Sequence, residues 1–254
     1  MRRTIVLLAT MALTLLVASG VALAVTKFGT NGPDTLQGTN KADNLLGRGG
    51  NDVLYAHAGR DNLLGGEGKD WVLGGDERRP SGGDKNLVGG PGNDGVVGGI
   101  GSDTVLGGSG DDFVLGDYGS DRAVVGGAGK DIVLGSRGAD RIVGEESGDL
   151  LIDGDLDDSS WIDVLSGGDG DDIFVVGNGH AVRDIASCGG GFDRVLADRT
   201  DAVADDCERV RFVHGSEEEV MKQVDAFFES LPPAEMEFWG TFDERLAPDP
   251  TAGG

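Results

Sequence analysis

The chain has 254 residues, 47 of them glycine, a formal net charge of −24 and only 6% aromatic residues. Glycine loses more backbone freedom on folding than any other residue, so this composition excludes a thick, closely packed core. So acidic a surface repels nucleic acid and anionic membranes and favours cations as partners.

Met1 to Ala24 reads as an export signal peptide. Arg2 and Arg3 form the basic start, Ile5 to Val17 the apolar stretch and Ala22-Leu23-Ala24 the small-residue cleavage site. An uncleaved anchor is the alternative, and the Ala-x-Ala ending together with Ser19-Gly20 favours cleavage. The mature chain then begins near Val25, is secreted to the extracellular side and makes no membrane contact. The expected organisation is 1–24 signal peptide, 25–187 repeat region, 188–215 last repeat and cap, and 216–254 helix and tail.

From Gly29 the chain repeats with a period of nine: GTNGPDTLQ, GTNKADNLL, GRGGNDVLY, AHAGRDNLL, GGEGKDWVL, and, after an insertion, GGPGNDGVV, GGIGSDTVL, GGSGDDFVL, GDYGSDRAV, GGAGKDIVL and GSRGADRIV. With the degenerate units at Pro80, Gly144, Asp158, Gly167 and Cys188 there are sixteen frames, and fifteen carry aspartate at the sixth position. The exception is Lys85. One unit, GGAGKDIVLG at 126–135, has the look of a phosphate-binding loop. That loop needs Ser or Thr after its lysine to hold magnesium, and here Asp131 follows Lys130.

Within a unit, glycines permit the tight turn of GGxGxD, and the remaining three residues are long enough for one short strand. Side chains two apart share a face of a strand, so the sixth-position aspartate and the eighth-position aliphatic residue both point inward. The ninth position then faces outward, and it is apolar at Leu46, Leu64, Leu73, Val88, Val97, Leu106, Leu115, Val124, Leu134, Val143 and Val175. Such stripes either mark a contact surface, for self-association or an extracellular partner, or only stiffen the sheet through strand propensity.

These units resemble the GGxGxDxUx nonapeptide of the RTX, or haemolysin-type, calcium-binding proteins, over roughly Gly29 to Leu196. The resemblance implies an all-β fold, a right-handed parallel β-roll, with several Ca2+ ions bound in the turns. It carries the role of carboxylate ligand onto Asp34, Asp43, Asp52, Asp61, Asp70, Asp94, Asp103, Asp112, Asp121, Asp131, Asp140, Asp149, Asp163 and Asp172. It carries the role of carbonyl ligand onto the second- and fourth-position glycines Gly66, Gly68, Gly90, Gly92, Gly99, Gly101, Gly108, Gly110, Gly127 and Gly129. Lys41, Lys85, Ser147 and Trp161 depart from the pattern. Calcium suits such turns because it accepts six to eight hard oxygens, carboxylate and carbonyl, in tolerant geometry. One aliphatic side chain per nine residues is a poor return for the backbone order required. The expectation is therefore a roll that folds only when calcium binds.

Between repeats, Asp76–Pro80 reads as a solvated loop. Asp153–Asp158 imitates the start of an EF-hand loop, lacks its glycine and closing glutamate, and reads as an acidic bulge. Cys188 and Cys207 fit one disulfide in an exported protein, closing what resembles the terminal cap of related repeat proteins. Ser216-Glu-Glu-Glu219 starts a short C-terminal helix with Val220, Val224, Phe227, Phe228 and Leu231 on one side, which packs on the roll or docks a partner; Pro232-Pro233 ends it.

Outside leader, repeats and cap too few residues remain for a usual catalytic domain. His57, His180 and His214 are scattered, and neither His-Glu-x-x-His nor Gly-x-Ser-x-Gly occurs. The chain reads as a non-enzymatic structural or interaction module. A polysaccharide-acting or adhesive roll, with calcium purely structural, is the alternative.

Overall fold

A computed structural model describes residues 23–75, 85–154, 161–176, 182–214 and 217–231. Most of the leader, the 76–80 loop, most of the 153–158 bulge, Ser216 and everything from Pro232 onward fall outside these residues. Successive nine-residue units alternate between two sheets, so units about eighteen residues apart stack. The result is two ten-stranded parallel sheets facing each other. Sheet A holds the strands beginning at Thr26, Asn44, Asn62, Asn86, Thr104, Ala123, Arg141, Val164, Ile185 and Ala202. Sheet B holds those beginning at Thr35, Val53, Trp71, Gly95, Phe113, Ile132, Leu150, Ile173, Arg194 and Arg209. This is the expected parallel β-roll.

The core is a double file of the eighth-position side chains. Leu45, Leu63, Leu87 and Val105 come from sheet A and face Leu54, Val72, Val96 and Val114 from sheet B, all essentially without solvent contact. Each coil contributes two such side chains. Among the described residues of the regular coils, Ala56 is the one first-position side chain that joins this file; glycine stands at the others.

Two features depart from the sequence reading. Many strands run six residues, as in Asn44–Gly49 and Thr104–Ser109, and so extend into the glycine turn. Stacked turns of one shape set each amide beneath a carbonyl of the next coil, and the ladder continues as Gly68 N–H to Pro91 O at 2.8 Å and Gly92 N–H to Ser109 O at 2.7 Å. The second departure is a register shift. Val124, expected at an outward ninth place, pairs with Val105 and Ile142 and is fully buried. Arg122 is an extra, exposed residue after Asp121, and Val125 takes the ninth place against Leu106 and Val143. Aliphatic stacking on aliphatic decides the register, because a slip of one residue would turn Val124 out of the core.

The outer face of sheet A carries an asparagine ladder, in which Asn62 Nδ2 donates to Asn44 at 3.0 Å and Asn86 Nδ2 to Asn62 at 2.8 Å. Beside it runs the ninth-position stripe, where Leu64 is 42% exposed. Sheet B is covered at its C-terminal half. The helix Glu217–Phe228 and the residues after it bury Val220, Phe227 and Leu231 against Ile132, Leu150, Ile173 and Val175. The expected apolar helix face thus packs on the roll. Cys188, part of the core file, is bonded to Cys207 with Cα atoms 5.2 Å apart. Two short strands, Ala202–Val203 and Arg209–Phe212, end the sheets. The exposed Arg209 places charge on a terminal strand that would otherwise invite further pairing.

Candidate metal centre

The turns form two columns, one leading into each sheet. Asp43, Asp61, Lys85, Asp103, Asp121, Asp140, Asp163 and Asp184 follow one another in the column entering sheet A. Asp34, Asp52, Asp70, Asp94, Asp112, Asp131, Asp149, Asp172 and Asp193 follow one another in the column entering sheet B. The sheet B column keeps its six-residue turn throughout.

Each aspartate uses its two oxygens differently. The Oδ1 atom accepts the backbone N–H of the aspartate one coil earlier: Asp70 N–H to Asp94 Oδ1 at 2.7 Å, Asp94 to Asp112 at 2.7 Å, Asp112 to Asp131 at 2.8 Å, Asp131 to Asp149 at 2.8 Å. In the sheet B column the chain of bonds runs unbroken from Asp34 to Asp193, whose N–H is accepted by Glu208 Oε2 at 2.9 Å. The Oδ2 atoms of Asp52, Asp70, Asp94, Asp112, Asp131, Asp149, Asp172 and Asp193 are buried and accept no hydrogen bond. A buried acceptor left unsatisfied costs about 1 to 3 kcal/mol, and more when it is charged. A column of them requires cations or protons.

The oxygens converge at the first glycine of each turn. A methyl group at Gly89 would lie 2.5 Å from Asp94 Oδ2 and 2.6 Å from Gly107 O; at Gly107 it would lie 2.5 Å from Asp112 Oδ2 and 2.6 Å from Gly126 O. The absent Cβ leaves an oxygen-lined notch between coils. The second- and fourth-position glycines lie around it. Gly66, Gly68, Gly90, Gly92, Gly99, Gly101, Gly108, Gly110, Gly127 and Gly129 all have positive φ, and carbonyls such as Gly66 O face the next coil's glycine. Carboxylate and carbonyl oxygens with no nitrogen or sulfur donor are the set that a hard divalent cation takes. The residues therefore fit calcium.

The electrostatics agree. Burial pushes Asp94 up to about 8, Asp149 to about 9, and Asp112, Asp131 and Asp172 to about 7; the amide bond to each Oδ1 opposes the shift and repulsion from neighbouring carboxylates adds to it. Without a bound positive charge these groups resist ionisation at neutral pH, and a cation in the notch reverses that preference.

The N-terminal rungs differ. Asp34 Oδ2 accepts Thr30 N–H at 2.5 Å and Thr30 Oγ1 at 2.9 Å, while Asp43 Oδ2 accepts Thr39 N–H at 2.5 Å. Threonine at the second position thus satisfies the oxygens that stay bare elsewhere. Sequence reading named neither Asp184 nor Asp193 as a ligand, although their Oδ1 atoms accept the Asp163 and Asp172 amides, and it passed over the closing acceptors Asp201 and Glu208. Asp193 lies in a frame that had been recognised. Asp184 was hidden by 177–181, which breaks the period, and its signal is the DIA triplet with aliphatic spacing intact. The first-position glycines were missed because their role depends on a neighbouring coil. Among the described residues the other close group of acids and cysteines is Cys188, Asp206 and Cys207, and its sulfurs are held in the disulfide.

The family model of the RTX calcium-binding nonapeptide repeat matches the chain over 28–63, 46–77, 82–123, 124–158 and 162–181, more than half of its length. No curated protein matches it.

Proposed function

Because the chain belongs to the RTX calcium-binding nonapeptide repeat family, we propose that it is an exported protein whose β-roll is ordered by calcium ions held between successive turns, and that it serves a structural or interaction role outside the cell rather than catalysing a reaction. The observation that carries this reading is the file of eight buried, unsatisfied Oδ2 atoms in the sheet B column. In this reading Asp52, Asp70, Asp94, Asp112, Asp131, Asp149, Asp172 and Asp193 supply carboxylate oxygens, and Asp61, Asp103, Asp121, Asp140, Asp163 and Asp184 do so in the sheet A column. The turn glycines supply carbonyls. Bound calcium neutralises the columns and links each coil to the next.

Export is supported by the Arg2-Arg3 start, the apolar Ile5–Val17 run and the Ala22-Leu23-Ala24 ending. The disulfide belongs to an oxidising compartment. No helix among the described residues is long and apolar enough to cross a membrane. The ninth-position stripe on sheet A, left uncovered among the described residues, is the surface offered to a second copy or to an extracellular protein. Polysaccharide contact has one observation in its favour, a groove on sheet B lined by Tyr55, Tyr118 and Asp117.

The test is far-ultraviolet circular dichroism of metal-stripped protein during calcium addition, with bound ions counted by native mass spectrometry. A disordered spectrum that converts to β as several ions bind is expected. A β spectrum unchanged by calcium, with no ion retained, overturns the proposal.

A further inference from the structure

Lys85 is the largest of the essentially fully buried side chains, at 1% exposure, and it stands in the sheet A column between Asp61 and Asp103. A lysine is rarely buried this far unless its ammonium is compensated, because removing the charge from water is costly. Its backbone behaves as an aspartate's would at this rung: Lys85 N–H donates to Asp103 Oδ1 at 2.8 Å, and its carbonyl accepts from Thr104 N–H at 2.9 Å. In these two backbone bonds the position matches its neighbours, and the side chain is what differs. That side chain runs past Gly74, where an added Cβ would meet Lys85 Cδ at 3.1 Å, and Nζ donates to Ile100 O of the next turn at 3.3 Å.

We propose that the Lys85 ammonium is a tethered cation standing in for a calcium ion at this step of the sheet A column, so that the step is neutralised whether or not calcium is present. The proposal rests on the reading that the other turns hold calcium. Its chemistry is a substitution of like for like. A lysine ammonium offers three donors and one positive charge to a site lined by backbone carbonyls and carboxylates, whereas calcium offers two charges to the same oxygens. A bare carboxylate at position 85 would add a negative group to the column and restore the ligand found at every other described rung.

Native mass spectrometry at saturating calcium, on the wild-type protein and on Lys85→Asp, tests it. Lys85→Asp is expected to bind at least one calcium more than wild type. A wild type that binds calcium, with a Lys85→Asp count no higher, overturns the role of Lys85 and leaves the calcium reading standing; a wild type that binds none removes both. Lys85→Met, of similar length without the charge, keeps the question decidable if the aspartate variant does not fold. It is expected to gain no calcium and to unfold at a lower denaturant midpoint in calcium. A midpoint equal to or above that of wild type overturns the proposal.

Discussion

At the second position of the turn the backbone has positive φ at five residues that are not glycine, though not at Thr30 or Thr39. Arg48 (85°), His57 (68°), Asp117 (77°), Ser136 (71°) and Glu145 (93°) are held there beside glycines at 92° to 130° such as Gly66, Gly99 and Gly108. A side chain in this region costs about 1 to 2 kcal/mol, which the stack enforces on these five. Glu145 adds a second penalty, since its charge raises the pKa of both Asp131 and Asp149. Glu145→Gly is therefore expected to stabilise the calcium-loaded protein by about 0.5 to 1 kcal/mol after allowing for the greater freedom of glycine in the unfolded chain. A thermal melt in calcium checks it, and a lower midpoint would contradict the strain argument. The residues themselves made the columns legible: aspartate and an aliphatic side chain two apart name both the notch and the core. What one unit cannot display is which oxygen does what. The division between Oδ1, tied to an amide one coil back, and Oδ2, bare in the notch, exists only once two coils are stacked.

At the scale of the element, strand identity was readable from the three residues after each aspartate, and strand length was not. Two stacked glycine turns pair in the ladder although neither has any strand propensity, as Gly90 with Gly108 shows. The register shift at Arg122 was likewise invisible in the local string GDYGSDRAV, because either valine of Val124-Val125 fills an eighth place. Only Val105 on one side and Ile142 on the other decide between them. The helix was legible in type and in its buried face; its site on sheet B rather than sheet A was not. The helix covers Ile132, Leu150 and Ile173 of sheet B, while Val164 and Ile185 of sheet A, equally aliphatic, stay exposed, so side-chain type alone does not tell the two faces apart. Phe227 is 5% exposed in this contact. Phe227→Ala is expected to cost about 3 to 5 kcal/mol of the stability that the helix adds, read as a lowered urea midpoint in calcium, with dye-accessible apolar surface exposed on sheet B. An unchanged midpoint would mean that the helix contributes nothing to the roll.

For the whole molecule the governing quantity is the charge stored in the two columns. In the metal-free state Asp94, Asp112, Asp131, Asp149 and Asp172 have folded-state values of about 7 to 9 against an ordinary 3.8, with burial as the first cause. A raised carboxylate value means that the folded form binds protons more readily than the unfolded one. Its contribution to stability is then complete below about 3.8 and is lost as pH rises through 7 to 9. Metal-stripped protein is accordingly expected to hold more β structure at pH 5 than at pH 9, while calcium affinity runs the other way because protons compete for the same oxygens. Circular dichroism of stripped protein at the two pH values, beside calcium titrations at each, checks both signs. Equal order at pH 5 and pH 9 would show that the columns do not carry the penalty assigned to them.

The amides of the sheet B aspartate column all donate in one sense: each waits for an acceptor that the chain supplies about eighteen residues later, and Glu208 closes the series. The roll is thus a directed ladder, and its two ends are not equivalent. Cutting away 25–58 deletes donors and leaves every remaining amide its acceptor. Cutting at Cys188 strands the Asp172 amide, opens the file of aliphatic residues at Phe174 and discards the bonded cysteines with the helix. The shortened N-terminal form should keep calcium-induced ellipticity in proportion to its length, and the form ending at Ser187 should lose far more than its share. That outcome would place the anchor of the roll in its C-terminal coils, beside the disulfide and the helix.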